Sequence, residues 1–239
     1  MTQPTTSTQT PSRAAFDPRA WERGCAADPV RNEVILPHLA ASLATAAPQT
    51  VVDLGSGTGY ITRTLSAQPW ADSVGWVLLD SNPDLLDIAL ASFDTSIDVT
   101  GCLYDLTGPE KAPAVRAEAA FAVFTFLEFP ATPILARNCA GLLSPGGTLL
   151  VYLPDTLADV LALGDPAALS DLRAGACVVE KRDHFTGALD AFNATRIELL
   201  LSLFLRVELR LLGLDILERT DRRESLFCLR LERPPTRAD

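Results

Sequence analysis

The sequence predicts an α/β fold. The expected form is a doubly wound, mostly parallel seven-stranded sheet with helices on both faces and an antiparallel last strand. Three observations predict it. Short apolar runs alternate with segments of helical period. Runs such as TVVDLG, VGWVLLD and AAFAVFTFLEF are continuously apolar, as parallel strands covered on both faces are. The last two apolar runs, LDILERT and ESLFCLRLER, are separated only by DRR, which suits an antiparallel pair.

The elements follow in order. Residues 1–14 are polar and Thr-rich and predict a disordered tail. Residues 15–239 predict one domain, with a small substrate-covering insertion at 155–212. Asp28 and Pro29 suit a helix start, and VRNEVILPHLAASLATAA continues with helical period until Pro37 kinks or divides it. TVVDLG is the first strand and YITRTLSAQ the helix after it. VGWVLLD is the second strand, followed by a helix with Asn82 as N-cap and Pro83 in its first turn. IDVTGCLYD and AAFAVFTFLEF are the third and fourth strands. TPILARNCAGLLSPGGTLLVYLP gives a helix, a turn and the fifth strand. In the insertion, LADVLAL reads as helical, and CVVEKRDHFTG and NATRIELLL pair as a hairpin across ALDAF. Ser202 caps a helix through Leu212, which Gly213 stops.

Composition narrows the function. The formal net charge is −10, so a polyanion meets net repulsion and nucleic-acid binding is disfavoured. Of the 20 basic residues only Lys111 and Lys181 are lysines. The apolar stretch IELLLSLFLRVELRLLGLDIL carries Glu198, Arg206, Glu208 and Arg210, too many charges for a membrane span. Five scattered cysteines without a CxxC pair, and an N-terminus without a signal-peptide pattern, predict reduced thiols and a soluble, cytoplasmic protein. No metal-ligand spacing is present.

The stretch VVDLGSGTGY, residues 51–60, carries the chemistry. A dinucleotide loop, G-x-G-x-x-G, would require glycine at position 60, which is Tyr60. Asp53 stands at the loop entrance, where a carboxylate repels phosphate and attracts a cation. Asp80 lies 21 residues beyond Gly59, at the end of the second strand, where a carboxylate can accept both hydroxyls of a ribose. Asp105 ends the third strand. Three carboxylates therefore fall on the rim where such sheets bind ligands.

These segments together resemble the class I S-adenosylmethionine-dependent methyltransferase family. The match is VVDLGSGTGY for its glycine motif, VLLDSNPDLLDIA for its acidic second-strand motif, CLYDL for its adenine-side motif and LLSPGGTLLVY for the turn into its fifth strand. The resemblance covers about residues 50–153 and extends to the final strand pair at 214–232. It implies S-adenosyl-L-methionine as cofactor. By that resemblance Gly55, Ser56, Gly57 and Gly59 wrap the methionine moiety, with Asp53 supporting the loop and the ammonium. Asp80 holds the ribose, Ser81 and Leu85 flank the adenine, and Asp105 accepts from its amine with Leu106 nearby. Phe124 and Thr125 lie near the methionine carboxylate and the methyl group. One departure is Ala120-Phe121, where families of this kind often begin the fourth strand with Asp.

Methyl transfer from a sulfonium is a displacement that needs alignment and dryness, and a general base only for a nucleophile that must first lose a proton. His184 and Glu128 are the candidates for that role, with a surface histidine and a solvated glutamate as the plainer readings. Trp21, Phe129, Tyr152 and Asp155 are candidate substrate contacts, with Trp21 and Phe129 readable as core. His38 reads as structural. The expected acceptor is a small organic molecule methylated on oxygen, nitrogen or carbon. Arg-rich, Lys-poor usage suggests a GC-rich bacterial source and, on that ground, natural-product tailoring. The alternatives are a protein that binds the cofactor without transferring methyl, and an NAD(P)-dependent oxidoreductase. The oligomeric state is open.

Overall fold

The computed structural model describes residues 17–127, 132–155, 178–182, 189–193, 197–219 and 224–235. The chain enters through helix α1 (Pro18–Ala27), whose N-cap Asp17 accepts from the Arg19 N–H at 2.9 Å. A π-helical turn at Val30–Ile35 then leads into α2 (Leu36–Ala46). Pro37 sits in the first turn of α2 and has no N–H to donate, so the backbone widens where the sequence predicted a division.

The remaining elements alternate. They are β1 (Thr50–Leu54), α3 (Tyr60–Ser66), β2 (Gly75–Asp80), α4 (Pro83–Ala91), β3 (Val99–Leu103), β4 (Ala117–Val123), α5 (Pro133–Leu142) and β5 (Leu143–Pro154). A two-stranded hairpin, β6 (Val178–Arg182) and β7 (Leu189–Asn193), is followed by α6 (Ile197–Arg206), β8 (Arg210–Arg219) and β9 (Glu224–Glu232). The main sheet has seven strands in the order β3-β2-β1-β4-β5-β9-β8. The first five pair in parallel, and β9 enters antiparallel between β5 and β8. The expected fold class and its antiparallel last strand are present.

Period-two alternation gives the sheet two dry faces. Val52, Leu54, Ala120, Leu149, Val151, Leu229 and Leu231 pack under α5 and α6 with Cys139, Leu200 and Phe204. Val51, Ala119, Phe121, Leu150, Tyr152 and Cys228 pack under α2 and α3 with Leu39, Leu43 and Leu65. Asn82 caps α4 as expected, its side chain accepting from the Asp84 N–H at 3.0 Å.

Four expectations are corrected. The hairpin's second strand is Leu189–Asn193, not NATRIELLL. Ile197 onward is helical because Ile197, Leu200, Leu201 and Phe204 form an i, i+3, i+4, i+7 stripe against the α5 side of the sheet. Ser202 lies inside α6 rather than capping a helix through Leu212. Gly213 stops no helix. It sits in β8 under the Arg230 guanidinium, where an added Cβ would come within 2.7 Å of Nη2. The apolar run LADVLAL lies outside the described residues. No described helix is long and apolar enough to cross a membrane.

Candidate cofactor and acceptor site

The glycine loop joins β1 to α3 at the C-terminal edge of the sheet. Its Gly55 and Ser56 N–H groups both donate to the Leu79 carbonyl, at 2.7 and 3.0 Å, which ties the loop to the end of β2. Gly55, Gly57 and Gly59 all have φ between 55° and 74°, a region costly for other residues. At Gly55 contact adds to this. A Cβ there would lie 2.4 Å from the Thr125 Cγ2. Thr125 is held in place by donating to the Leu54 carbonyl at 2.5 Å, so the end of β4 crosses beneath the loop.

Asp53 follows from the pleat: with Val52 and Leu54 on the α5 face, its side chain must enter the α3 face. There it is buried and accepts from the Thr62 hydroxyl at 2.7 Å. Burial pushes its carboxyl up to about 7, against the opposing effect of the Thr62 bond, and neighbouring Asp80 adds to the rise. Asp80 closes β2. Its carboxylate accepts from the Gly57 N–H at 2.8 Å and from the Asn82 N–H at 2.9 Å. A carboxylate has about four lone-pair sites, so capacity remains for a diol. The Ser56 hydroxyl, one residue before Gly57, is buried without a hydrogen-bond partner among the described residues.

Above the loop sits a group of residues from the N-terminal helices. The Trp21 Nε1 lies 3.6 Å from where a Cβ on Gly57 would be, so the indole covers the loop. The Arg31 guanidinium lies 5.5 Å from the Trp21 ring centre and 5.2 Å from that of Phe124, with Nη1 3.1 Å from Asp28. Phe124 takes a left-handed backbone, φ 60°, just past β4. The strand is shorter than the expected AAFAVFTFLEF: β4 ends at Val123, and Phe126 turns into the opposite core against Phe204. Glu22 of α1 accepts from the Thr58 hydroxyl and pairs with Arg63, and the Tyr60 hydroxyl donates to Asn32 at 2.7 Å. The N-terminal helices are thereby fastened to α3.

Of the residues expected to flank the adenine, Ser81 is exposed and Leu85 half-buried. Asp105 is exposed two residues beyond β3, accepting from the Thr107 hydroxyl at 2.6 Å and its N–H at 2.8 Å, bonds that hold its carboxyl below the usual range. Leu106 sends its side chain into the core, and Asn138 takes its carbonyl at 2.9 Å. What Leu106 can offer a ligand is backbone.

The substrate candidates divide. Trp21 is at the site. Asp155 is half-buried just past β5. Tyr152 is corrected to core: it is fully buried on the α2 face, 2.9 Å from the His38 Nδ1, and burial pushes its phenol well above the ordinary range. His38 is structural as expected, its pKa lowered by burial against the opposing charge of Asp215. Glu128, Phe129 and His184 lie outside the described residues. Sequence reasoning missed Arg31, Glu22 and Thr58. The signal for Arg31 was available: it is the sole cation of an otherwise apolar helical stripe with Val30, Val34 and Ile35.

No family model matches the chain. Trans-aconitate 2-methyltransferase of Methylobacterium radiotolerans is 33% identical over 151 residues, covering 56% of this chain and 55% of that protein. The chain thus spans about half the length of this curated relative. Among solved structures, a candidate S-adenosylmethionine-dependent methyltransferase from Listeria monocytogenes superposes with a TM-score of 0.61 at 12% identity, covering 82% of this chain and 96% of that one. The N-methyltransferase NodS of Bradyrhizobium japonicum, in complex with S-adenosyl-L-homocysteine, superposes at 0.58 and 15% identity, covering 88% and 90%. The chain shares its fold with these solved S-adenosylmethionine-dependent methyltransferases.

Proposed function

We propose that the chain binds S-adenosylmethionine across the ends of β1, β2 and β4 and transfers its methyl group to a small organic acceptor. The observation that carries the reading is the acidic rim of the glycine loop. Asp80 already receives the Gly57 N–H, while Asp53 and the Ser56 hydroxyl, which has no partner among the described residues, lie buried in the chain leading to Gly57. Buried polar groups of this kind are costly without a ligand to satisfy them, and two carboxylates suit a cationic, phosphate-free cofactor better than a dinucleotide.

The residues present fit that group. Asp80 would accept the ribose hydroxyls, and the Ser56 hydroxyl and Gly55–Gly57 backbone would cradle the methionine chain. Asp53 would favour its ammonium, and Arg31, aimed between Trp21 and Phe124, would hold its carboxylate. Asp105 and Leu85 would border the adenine. Bound S-adenosylmethionine supplies a methyl group activated by its sulfonium. The chain's own task is to align an acceptor with that methyl and exclude water, for which Trp21 and Phe124 provide an apolar wall. Glu128 and His184 remain the proposed proton acceptors, and Phe129 and Asp155 proposed acceptor contacts.

A small carboxylic acid is the first acceptor class to test, because the partial relative carries trans-aconitate in its name. Natural-product tailoring is a further proposal resting on residue usage. The test is calorimetric titration with S-adenosylhomocysteine. One-site binding, lost in Asp80→Ala, supports the cofactor. Well-folded protein that binds nothing overturns the reading. Release of S-adenosylhomocysteine with an acceptor present then separates methyl transfer from binding alone.

A further inference from the structure

Tyr60 stands where a dinucleotide loop would carry its third glycine, and no proposed cofactor contact uses it. It opens α3 directly after Gly59. Its ring is half-buried against the core beneath α2 and α3, so packing accounts for the ring. Packing does not account for the hydroxyl, which donates to the Asn32 Oδ1 at 2.7 Å.

Asn32 lies in the π turn beside Arg31. Its side-chain amide donates to three carbonyls, those of Cys25 at 3.2 Å, Ala26 at 3.0 Å and Asp28 at 2.8 Å. Cys25 and Ala26 belong to the last turn of α1, the helix that carries Trp21. The Asp28 carbonyl also takes the Asn32 backbone N–H at 3.1 Å. The Asp28 carboxylate accepts from the Val30 N–H at 2.9 Å through one oxygen and from the Arg31 Nη1 at 3.1 Å through the other. A chain of hydrogen bonds therefore runs from the first residue of α3, through Asn32 and Asp28, to the Arg31 guanidinium.

That chain bears on where Arg31 points. Ring contacts such as those with Trp21 and Phe124 tolerate sliding, whereas hydrogen bonds are directional. The bond to Asp28 aims the guanidinium, and Asn32 sets where Asp28 stands. A plain clasp of α1 on α3 would not need this second tie. Glu22 already provides one by taking Thr58 and Arg63.

We propose that Tyr60 and Asn32 are positioning residues for the amino-acid end of the cofactor. Through Asn32 and Asp28, the Tyr60 hydroxyl sets Arg31 at the height of the glycine loop, so that loop and guanidinium meet the same ligand. The site thereby favours nucleosides that carry the amino-acid chain over those cut short at the sulfur. The proposal rests on the reading of Arg31 as partner of the methionine carboxylate.

Calorimetric titration of the full chain with S-adenosylhomocysteine and with 5′-methylthioadenosine tests this in a double-mutant cycle. Tyr60→Phe keeps the ring and deletes the hydroxyl. It should weaken S-adenosylhomocysteine by about threefold to tenfold, the worth of one hydrogen bond, and leave 5′-methylthioadenosine unaffected. In the Arg31→Ala background the same substitution should cost nothing further. Asn32→Ala should show the same pattern with a larger loss. A merely structural tie would lower the urea midpoint and weaken both ligands alike, with or without Arg31. No loss in Tyr60→Phe, equal losses for the two ligands, or an undiminished loss in the Arg31→Ala chain would each overturn the proposal. If Arg31→Ala itself does not separate the two ligands, the carboxylate assignment fails and the proposal falls with it. If the unaltered chain binds neither ligand, the cofactor reading fails, and again the proposal falls.

Discussion

Gly55→Ala is the sharpest probe of how the loop is built. The substitution adds one methyl at φ +71°, and an L-residue in that region costs about 1–2 kcal/mol. The new Cβ would also lie 2.4 Å from Cγ2 and 2.8 Å from Oγ1 of Thr125, which cannot swing aside without giving up its bond to Leu54. Overpacking of this kind costs about 1–3 kcal/mol. The expected loss is therefore about 2–5 kcal/mol, read as a shift of the urea midpoint at unchanged slope. Thr125→Ser removes the closest carbon and keeps the hydroxyl, so it separates the two contributions. In a double-mutant cycle Gly55→Ala and Thr125→Ser should couple favourably by about 1 kcal/mol or more. A Gly55→Ala loss below about 1 kcal/mol, or a coupling of zero, refutes the argument that Thr125 sets the height of the loop.

Three other outcomes follow from the site. Arg31→Ala should weaken S-adenosylhomocysteine by about tenfold or more, the worth of a charge-assisted hydrogen bond. It should leave 5′-methylthioadenosine, which lacks the amino-acid moiety, unaffected; calorimetry with both ligands checks this. Asp53 has its folded pKa raised to about 7, so the folded protein keeps a proton that the unfolded chain loses near pH 4. Stability without ligand should fall as pH rises from about 4 to 7. The ammonium favours the ionised carboxylate, so affinity for S-adenosylhomocysteine should fall as pH drops through 7, and Asp53→Asn should flatten both profiles. Tyr152→Phe should cost about 1 kcal/mol by chemical denaturation, the net value of the lost bond to His38, and leave ligand affinity unchanged. A change in affinity without that stability loss would reinstate Tyr152 as a site residue.

Much of the sheet was legible because its signals are local. TVVDLG and VGWVLLD are apolar through their length, and Asn82 with Pro83 marks the α4 start unambiguously. Asp80 was legible for the same reason: it ends β2 just before the capped α4, which places its side chain on the rim, whereas Asp53 turns into the α3 face and Asp105 lies two residues beyond β3. The misses have physical causes. IELLLSLFLR satisfies strand and helix patterns alike, and packing of Leu200 and Phe204 on the sheet decides it. Gly213 looks like a helix stop, but it lies in β8, where the Arg230 side chain passes over it to reach Asp215. Tyr152 sits near a strand end, and only the pleat reveals that it faces α2 rather than the rim. Arg31 stood out locally only as a lone cation in an apolar stripe; its place between Trp21 of α1 and Phe124 just past β4 is a long-range contact that no local window contains.

The strongest argument for a ligand at the glycine loop is that the protein is locally inconsistent there. Elsewhere the described core is mostly apolar, and the Trp76 Nε1 is its other buried side-chain polar atom without a partner among the described residues. At the ends of β1, β2 and β4 three features run against folding. A carboxyl is buried at Asp53, a hydroxyl is left unpartnered at Ser56, and Phe124 holds a left-handed backbone, a state that costs about 1–3 kcal/mol. Each could be relieved by a single substitution that fits the space, such as asparagine for Asp53 or alanine for Ser56. Features selected for stability alone would not gather at one rim of the sheet. A cation with a hydrogen-bonding chain, seated against Asp53 and Ser56 and bordered by Phe124, would satisfy the first two and give the third a purpose. The cost to the fold is then recovered as binding free energy, which is why ligand-induced stabilisation should be lost most completely in variants that remove these inconsistencies and stabilise the empty protein.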